Sequence, residues 1–268
     1  MLRAVKGEVV QAQLFVESLL TSTDETLHIT SLSFTETAGW TAQGLGQPQF
    51  ERLWYAPAAS GGQTVYSSAI LHFGASGRDL STDGFSVPSA DNKVAGQTNQ
   101  GIWLSIFVPL GVAAGQYSGR VVISTSNSAV AAVHVPLSLT IVDLAMPQRF
   151  AFALDLNSYS DSIDENCGAS VSAEACELLT HQMAHRHRHT CNTLPYGQTG
   201  KVDAPYGPPV TGTGAATTVT SWDAFDARLG KFLDGTAFTE AHGYNSSLYP
   251  GAGIPLSDFC ASEPTASY

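Results

Sequence analysis

Charged residues are scarce in this sequence. Asp, Glu, Lys and Arg make up 13% of the 268 residues, about half of the roughly 25% that soluble proteins usually contain. Only 12 residues are basic, against 23 acidic ones, which gives a net charge of -11. Nucleic acids and anionic membranes attract basic surfaces. The composition therefore argues against both as partners and leaves neutral ligands such as sugars.

Long apolar runs are also missing. No segment approaches the roughly 18 apolar residues that a membrane-spanning helix requires. Residues 1–8 lack the apolar core of a signal peptide. Two alternatives stay open here: a cytosolic protein, or a mature or truncated form of an extracellular or periplasmic one.

Cysteine is absent from the first half of the chain. An even number in the second half fits two disulfides in an exported protein, with three possible pairings, and it fits unpaired small apolar residues equally well. The four positions are Cys167, Cys176, Cys191 and Cys260.

What the first half does contain is a strand pattern. Short runs of apolar and β-branched residues alternate with polar ones and are bounded by Gly, Pro and Ser clusters. In 27–34, Leu27, Ile29 and Leu32 or Phe34 should face a core, and one slip in the alternation predicts a β-bulge. A loop is expected over 113–119, and His134 should lie on the solvent face. The predicted strands are 9–16, 27–34, 101–109, 120–125 and 133–142.

Helical periodicity is absent from these 146 residues. They therefore predict an all-β, immunoglobulin-like antiparallel sandwich, the domain 1–146.

The pattern changes after residue 146. An almost continuous apolar run over 150–157 predicts a strand that is buried on both faces. A helix follows to about Arg188, capped by Ser170 or Ser172 with Glu174 in its first turn. Next we expect a strand over 190–196, an irregular loop over 197–220 and a helix over 221–233. The apolar face of that second helix contains Trp222, Phe225, Leu229 and Phe232.

Strands that alternate with helices form parallel sheets with right-handed crossovers. We therefore expect 147–268 to be an α/β domain that resembles the first βα units of a TIM barrel. An eight-unit barrel needs about 200 residues or more, so this domain is expected to be truncated.

Several motifs occur in a fixed order along the chain. They are GE at 7–8, QAQL at 11–14, NQGIWL at 99–104, VP at 108–109, AGQYSG at 114–119 and PLSL at 136–139, then VDLAMP at 142–147, MAHRH at 183–187, NTL at 192–194, FDARLG at 225–230 and DGTAF at 234–238. Together they resemble glycoside hydrolase family 123, first its N-terminal β-sandwich and then the passage into its (β/α)8 barrel. The resemblance covers about residues 5 to 240 and fades after Phe238.

The resemblance implies hydrolysis of glycosides of 2-acetamido sugars, with N-acetylgalactosamine as the family's sugar. It implies a substrate-assisted mechanism that retains configuration. The acetamide oxygen of the sugar attacks the anomeric carbon, an Asp orients it, and the following Glu is the general acid and base, an exception to the usual two-carboxylate scheme. No cofactor is implied.

The Asp-Glu pair of such a mechanism should follow a barrel strand. Asp24-Glu25 falls in a turn of the predicted sandwich, and Asp164-Glu165 falls in the first βα loop, separated from its strand by a Ser-rich segment. In the family the pair comes from a later strand, which would fall beyond Tyr268. We therefore assign no catalytic residue in this chain.

The candidate sugar contacts are the polar side chains at the ends of the two predicted strands. Asp155 and Asn157 end the first strand and Tyr196 ends the second. A carboxylate, an amide and a phenol suit the hydroxyls and the apolar face of a sugar. The alternative is that Asp155 and Asn157 bond only to neighbouring loops.

Histidines are concentrated in one helix. His181, His185 and His189 share one face, and the run begins one residue away from the H-E-x-x-H motif of zinc proteases. Gln182 stands where that motif has its Glu, and an amide cannot act as a base. We therefore predict no metal here, because basic residues also favour helix C-termini through the macrodipole.

The sequence is therefore compatible with three functions. The first is the N-terminal part of a glycoside hydrolase with a carbohydrate substrate, which would be inactive at this length and would be followed by roughly 250 further residues in its reading frame. The second is a non-catalytic carbohydrate-binding or interaction module. The third is a zinc hydrolase that uses the histidines.

Overall fold

The computed structural model describes residues 1–19, 27–57, 65–71, 84–88, 90, 96–127, 131–147, 155–156, 171–191 and 207–256. The chain divides into two units, Met1–Met146 (unit 1) and Pro147–Tyr268 (unit 2). Within the described ranges, no helix has the length and hydrophobicity needed to cross a membrane.

The described part of unit 1 consists of two sheets. One sheet has the strand order β1-β9-β8-β3-β6 and the other has the order β2-β7-β4-β5. β1 pairs with β9 in parallel, and the remaining neighbours pair antiparallel. The strands are β1 (Leu2–Lys6), β2 (Val9–Glu17), β3 (Leu27–Ala38), β4 (Gln49–Pro57), β5 (Val65–Leu71), β6 (Phe85–Val87), β7 (Asn99–Phe107), β8 (Gly115–Thr125) and β9 (Val133–Ala145).

The core of unit 1 lies between the two sheets. Alternate residues of a strand point to the same side, so Leu104 and Ile106 of β7 meet Leu139 and Ile141 of β9 in one cluster. A second cluster joins Ile102 of β7 to residues of β3, β6 and β8. Two sheets that share buried clusters form a sandwich.

The chain changes from one sheet to the other at Gly7. Its φ of +84° lies in the left-handed region that glycine adopts without strain. The Gly7 N–H donates to Val108 O at 2.7 Å, and the Val108 N–H donates to Glu8 O at 2.8 Å. These bonds fasten the crossing to the end of β7.

Predictions for β3 and β9 are confirmed. Ile29 and Leu32 are fully buried, and the register shift that marks the bulge falls between Ile29 and Ser31. His134 is exposed on β9.

Two expectations for unit 1 are wrong. Residues 115–119 form the start of β8, because Gly115 to Gly119 pair with Ile141 to Leu137. Tyr117 is buried there and its hydroxyl donates to Ala113 O at 2.7 Å. The sandwich is also mixed, since β1 lies parallel to β9 and no strand was expected at its position.

Unit 2 follows a different plan in its described residues. Two short strands pair in parallel, Asp155 with Thr190 and Leu156 with Cys191. A small antiparallel hairpin and two α-helices complete it, with short 3-10 helices at Gly214–Ala216, Thr236–Phe238 and Glu240–His242. The elements are β10 (Asp155–Leu156), α1 (Ala173–Arg186), β11 (Thr190–Cys191), β12 (Val210–Thr211), β13 (Thr218–Val219) and α2 (Asp223–Leu233).

The ends of α1 follow from its sequence. The Ser172 hydroxyl accepts from the Ala175 N–H at 3.2 Å, so Ser172 is the N-cap and Glu174 lies in the first turn. The helix ends at Arg186, two residues earlier than expected, and Arg188 has a φ of +62°. That left-handed residue turns the chain directly into β11.

Two expectations for residues 207–233 are wrong. The loop 197–220 is not irregular throughout, since Val210–Thr211 pairs with Thr218–Val219. Trp222 does not share the buried face of α2: Leu229 and Phe232 are buried, while Trp222 is 50% exposed. The helix begins at Asp223, so Trp222 stands before its first turn.

The two described cysteines of unit 2 differ in their chemistry. Cys176 is disulfide-bonded, and Cys191 is a buried thiol.

The predicted parallel pairing around one helix is present as β10-α1-β11. This is a single βαβ unit. The TIM-barrel arrangement of 147–268 stays a prediction.

A test of the sandwich uses Gly119, where β8 passes over the Phe34 ring. A Cβ at this position would overlap that ring and lie 2.9 Å from Thr35 O. We expect Gly119→Ala to lower the free energy of unfolding by about 1–3 kcal/mol, the usual cost of overpacking. Gly111→Ala is the matched control, since a Cβ there meets nothing within 4 Å. Equal thermal melts for both variants would contradict the close approach of β8 to Phe34.

Candidate functional site

Asp155 is the one candidate sugar contact whose backbone the structure describes. Asp155 belongs to β10 and its backbone is paired with Thr190. The carboxyl ends of parallel strands lie at one edge of a sheet, where α/β proteins bind ligands. Asn157 and Tyr196 lie outside the described residues, and the role of all three residues as sugar contacts stays a prediction.

The possible acid–base pairs are not placed either. Asp24-Glu25 and Asp164-Glu165 both fall outside the described residues. No catalytic residue is assigned.

Gln182 is a structural residue in the middle of α1. Its side-chain amide donates to Ala237 O at 2.8 Å and to His242 O at 2.9 Å, and the residue is 1% exposed. A carboxylate has no proton to donate to either carbonyl. The residue that separates this run from the zinc-protease motif is therefore required as an amide by the packing of unit 2.

His185 has both ring nitrogens in contact with oxygen atoms of the 244–254 segment. Nδ1 lies 2.8 Å from the Tyr244 hydroxyl and Nε2 lies 3.2 Å from Ile254 O. The Tyr244 hydroxyl lies 2.6 Å from Pro250 O. The ring also stacks on Phe238 at 3.8 Å between centroids.

These three contacts cannot all be hydrogen bonds when His185 and Tyr244 are both neutral. Neutral His185 and Tyr244 together offer two protons for three contacts. A proton on Nδ1 makes the two shorter contacts hydrogen bonds, with Nδ1–H donating to Tyr244 and Tyr244 donating to Pro250. Burial lowers the pKa of His185 to about 3 and raises that of the Tyr244 phenol, so both are neutral at pH 7.

His181 lies in a less polar environment than His185. It is 2% exposed, and neither ring nitrogen has a hydrogen-bond partner among the residues that the structure describes. Its ring packs on Phe232 at 4.2 Å between centroids. Burial, with the nearby charge of Lys231 as a smaller cause, lowers the pKa of His181 to about 4.

The histidine face is thus the packing face of α1. It contacts Phe232 of α2 and the 237–254 segment, and His185 has no ring nitrogen available for a metal. Among the residues that the structure describes, no group of three His, Cys, Asp or Glu side chains could hold a metal ion. The arrangement does not support the zinc-hydrolase hypothesis.

Ion pairs hold α1 against α2. The buried Glu177 carboxylate accepts from Arg228 Nε at 2.7 Å, and Glu174 accepts from Lys231 Nζ at 3.3 Å. A buried charge is tolerated only when it is paired. Four residues beyond Glu177 on α1, the His181 ring packs on Phe232 of α2 and adds an aromatic contact between the two helices.

The exposure of the aromatic residue at the start of α2 was not predicted from the sequence. Trp222 lies in the connection between β11 and α2 and is half exposed. The neighbouring residues could have indicated it, because Ser221 and Asp223 are typical of a helix start rather than of a buried face.

Comparison with protein-family models gives no match, and comparison with curated protein sequences gives none either. Among solved structures, the chain is a weak neighbour of a family 123 glycoside hydrolase from Clostridium perfringens, analysed for glycolipid glycan hydrolysis. The TM-score is 0.41 and the identity is 10%, over 61% of this chain and 27% of that enzyme. The chain thus spans about a quarter of the enzyme's length. Another neighbour is PapD-like domain 7 of human CEP192, with a TM-score of 0.24 and 11% identity over 53% of this chain and 77% of that domain.

The metal question can be tested directly. We expect metal analysis of the purified protein to find no stoichiometric zinc, because the His185 nitrogens contact Tyr244 and Ile254 and Gln182 cannot act as a base. One zinc per chain, lost in His181→Phe, would contradict this assignment.

The buried histidines also predict a loss of stability in acid. In the unfolded chain His181 takes up a proton near its ordinary pKa of 6.5, but in the folded chain only near 4. Between these values the unfolded state binds more protons, so stability that is present above pH 6.5 falls as the pH drops towards 4. We expect His181→Phe to recover about 1–2 kcal/mol of the loss between pH 7 and 5.

Urea unfolding followed by circular dichroism at 222 nm measures this effect, since both described α-helices lie in unit 2. His134→Gln, which removes an exposed imidazole from β9, is the control. The same acid response in wild type and His181→Phe would show that His181 is not buried as described.

Proposed function

We propose that this chain is part of a glycoside hydrolase that acts on 2-acetamido sugars, and that unit 2 supplies one edge of the sugar site. The observation that carries the proposal is the parallel register of β10 and β11 directly after a β-sandwich. The motifs along both units, which resemble glycoside hydrolase family 123, add the substrate class.

The chemistry of this chain at that edge is hydrogen bonding to a neutral ligand. Asp155 lies in β10 and Asn157 follows it, and the second strand leads towards Tyr196. A carboxylate and an amide carbonyl accept protons from sugar hydroxyls, while a phenol ring covers the apolar face of a pyranose. We propose these three residues as sugar contacts.

The reaction itself would be substrate-assisted. The acetamide oxygen attacks the anomeric carbon as the glycosidic bond breaks, the leaving oxygen takes a proton from a Glu, and water then opens the cyclic intermediate with net retention. An Asp next to that Glu holds the acetamide. Neither carboxylate is assigned to a residue of this chain, whose part in the reaction is to hold and orient the sugar.

The substrate class can be tested by titrating the 268-residue chain with N-acetylgalactosamine in a calorimeter or by NMR. We expect weak binding that Asp155→Ala abolishes and Asp155→Asn reduces, because the amide keeps the shape of the side chain but loses the charge. Asp143→Asn is the control, since this exposed carboxylate pairs with Lys6 at 2.6 Å on the sandwich. Binding that is equal in all variants would contradict the assignment of Asp155.

Hydrolysis of an aryl N-acetylgalactosaminide is the second readout. We expect little or no turnover by this chain, and binding without turnover is also what a non-catalytic carbohydrate-binding module would show. Rapid turnover that is lost on changing Asp164 or Glu165 would place the acid–base pair within the chain and overturn this part of the proposal.

A further inference from the structure

Trp222 exposes a large aromatic surface at the start of α2. The side chain is 50% exposed, and Val210 on the neighbouring hairpin is 60% exposed. Trp40, by contrast, is fully buried and its indole N–H donates to Gly46 O at 2.8 Å. About half of the Trp222 side chain is therefore available for contact with a ligand.

The Trp222 ring is held in place. Its backbone carbonyl accepts from the Asp226 N–H at 2.8 Å, the first hydrogen bond of the helix. Its indole meets the Phe225 ring edge to face, with centroids 5.4 Å apart and planes at 78°. Phe225 packs in turn on the core of unit 2. Binding a ligand to a fixed ring costs less ordering than binding to a mobile one.

The hairpin before Trp222 is anchored as well. The Thr220 N–H and hydroxyl both donate to Pro209 O, at 2.9 and 3.1 Å. These bonds close the segment from Val210 to Val219, which ends three residues before Trp222 in the sequence.

Trp222 belongs to a strand-to-helix connection. It lies between β11 and α2 along the chain, and strand-to-helix connections form the ligand edge of parallel α/β structures. On this ground we expect Trp222 on the side of unit 2 where β10 and β11 end.

The surroundings suit a sugar better than a protein or a membrane. Asp223 and Asp226 are exposed in the first turn of α2, and their carboxylates accept protons from hydroxyls. A pyranose offers one apolar face and a rim of hydroxyls, which matches a single indole beside carboxylates. Protein and membrane docking use larger apolar patches, and an anionic membrane would be repelled by this acidic chain.

We propose that Trp222 is the stacking platform of a second sugar subsite, which takes a sugar linked to the one held at Asp155. This inference rests on the proposed glycan-binding function. It predicts that the chain binds an oligosaccharide more tightly than a single sugar, and that Trp222 accounts for this difference in affinity.

The test compares N-acetylgalactosamine with a tetrasaccharide that carries it at the non-reducing end, using the whole 268-residue chain. We expect the tetrasaccharide to bind about threefold to tenfold more tightly than the monosaccharide, the range of a single aromatic contact. Trp222→Ala should remove this margin and leave monosaccharide binding unchanged. Trp222→Tyr should restore part of it, because the ring is kept.

Phe15→Ala is the matched control, since Phe15 is a 61% exposed aromatic on β2 of the sandwich and should not affect either ligand. The tetrasaccharide should also shift the emission of wild-type tryptophan to shorter wavelength, and this shift should vanish in Trp222→Ala. Both variants should keep the wild-type circular dichroism spectrum and melting temperature, because each removed ring is largely on the surface.

The outcomes separate the two proposals. If Asp155 variants lose the monosaccharide but Trp222→Ala binds the tetrasaccharide as wild type does, the second subsite is wrong and the first proposal stands. If wild type binds neither sugar, both proposals are wrong.

Discussion

The sandwich depends on the crossing of the first strand at Gly7-Glu8. Before it, β1 is parallel to β9 in one sheet, and after it, β2 is antiparallel to β7 in the other. Each side is fastened to the end of a strand, since Met146 N–H donates to Lys6 O at 2.8 Å and Val108 N–H donates to Glu8 O. The Glu8 carboxylate also accepts from the Val5 N–H at 2.8 Å. One segment thus fixes the position of both sheets, and the core between them can pack only in that register.

The core of unit 2 contains several polar side chains. Gln182 donates to two carbonyls, Glu177 pairs with Arg228, and His185 contacts Tyr244. Each of these groups finds its partner 50 residues or more away in the sequence. His181 is kept neutral mainly by burial, with a smaller effect of the Lys231 charge on its pKa. A buried polar group is tolerated when its partners are in place, so the histidine run contributes to the fold. Functional groups must then be sought at the strand ends and at the start of α2.

The sequence was most informative where alternation is strict. The bulge in β3, the exposed side of β9 and the cap of α1 follow from local residue types. The parallel pairing of β1 with β9 joins residues about 137 positions apart, and the two-residue strands of the β12–β13 hairpin are too short for a periodic signal. Trp222 was expected on the buried helical face because its spacing to Phe225 and Leu229 fits such a face, whereas the helix begins one residue after it. For the site, the sequence predicted residue types, while the partners of His185 and Gln182 depend on the tertiary fold.

Two of the proposed sugar contacts, Asp155 and Trp222, are 67 positions apart in the sequence. Asp155 lies in β10, and Trp222 immediately precedes α2. Parallel pairing of β10 with β11 brings the carboxyl ends of both strands to one edge, and the connection that contains Trp222 follows β11 along the chain. Such a site can bind an uncharged ligand. Its affinity comes from hydroxyl hydrogen bonds and one stacked ring, which suits a neutral glycan and an acidic protein with few basic residues.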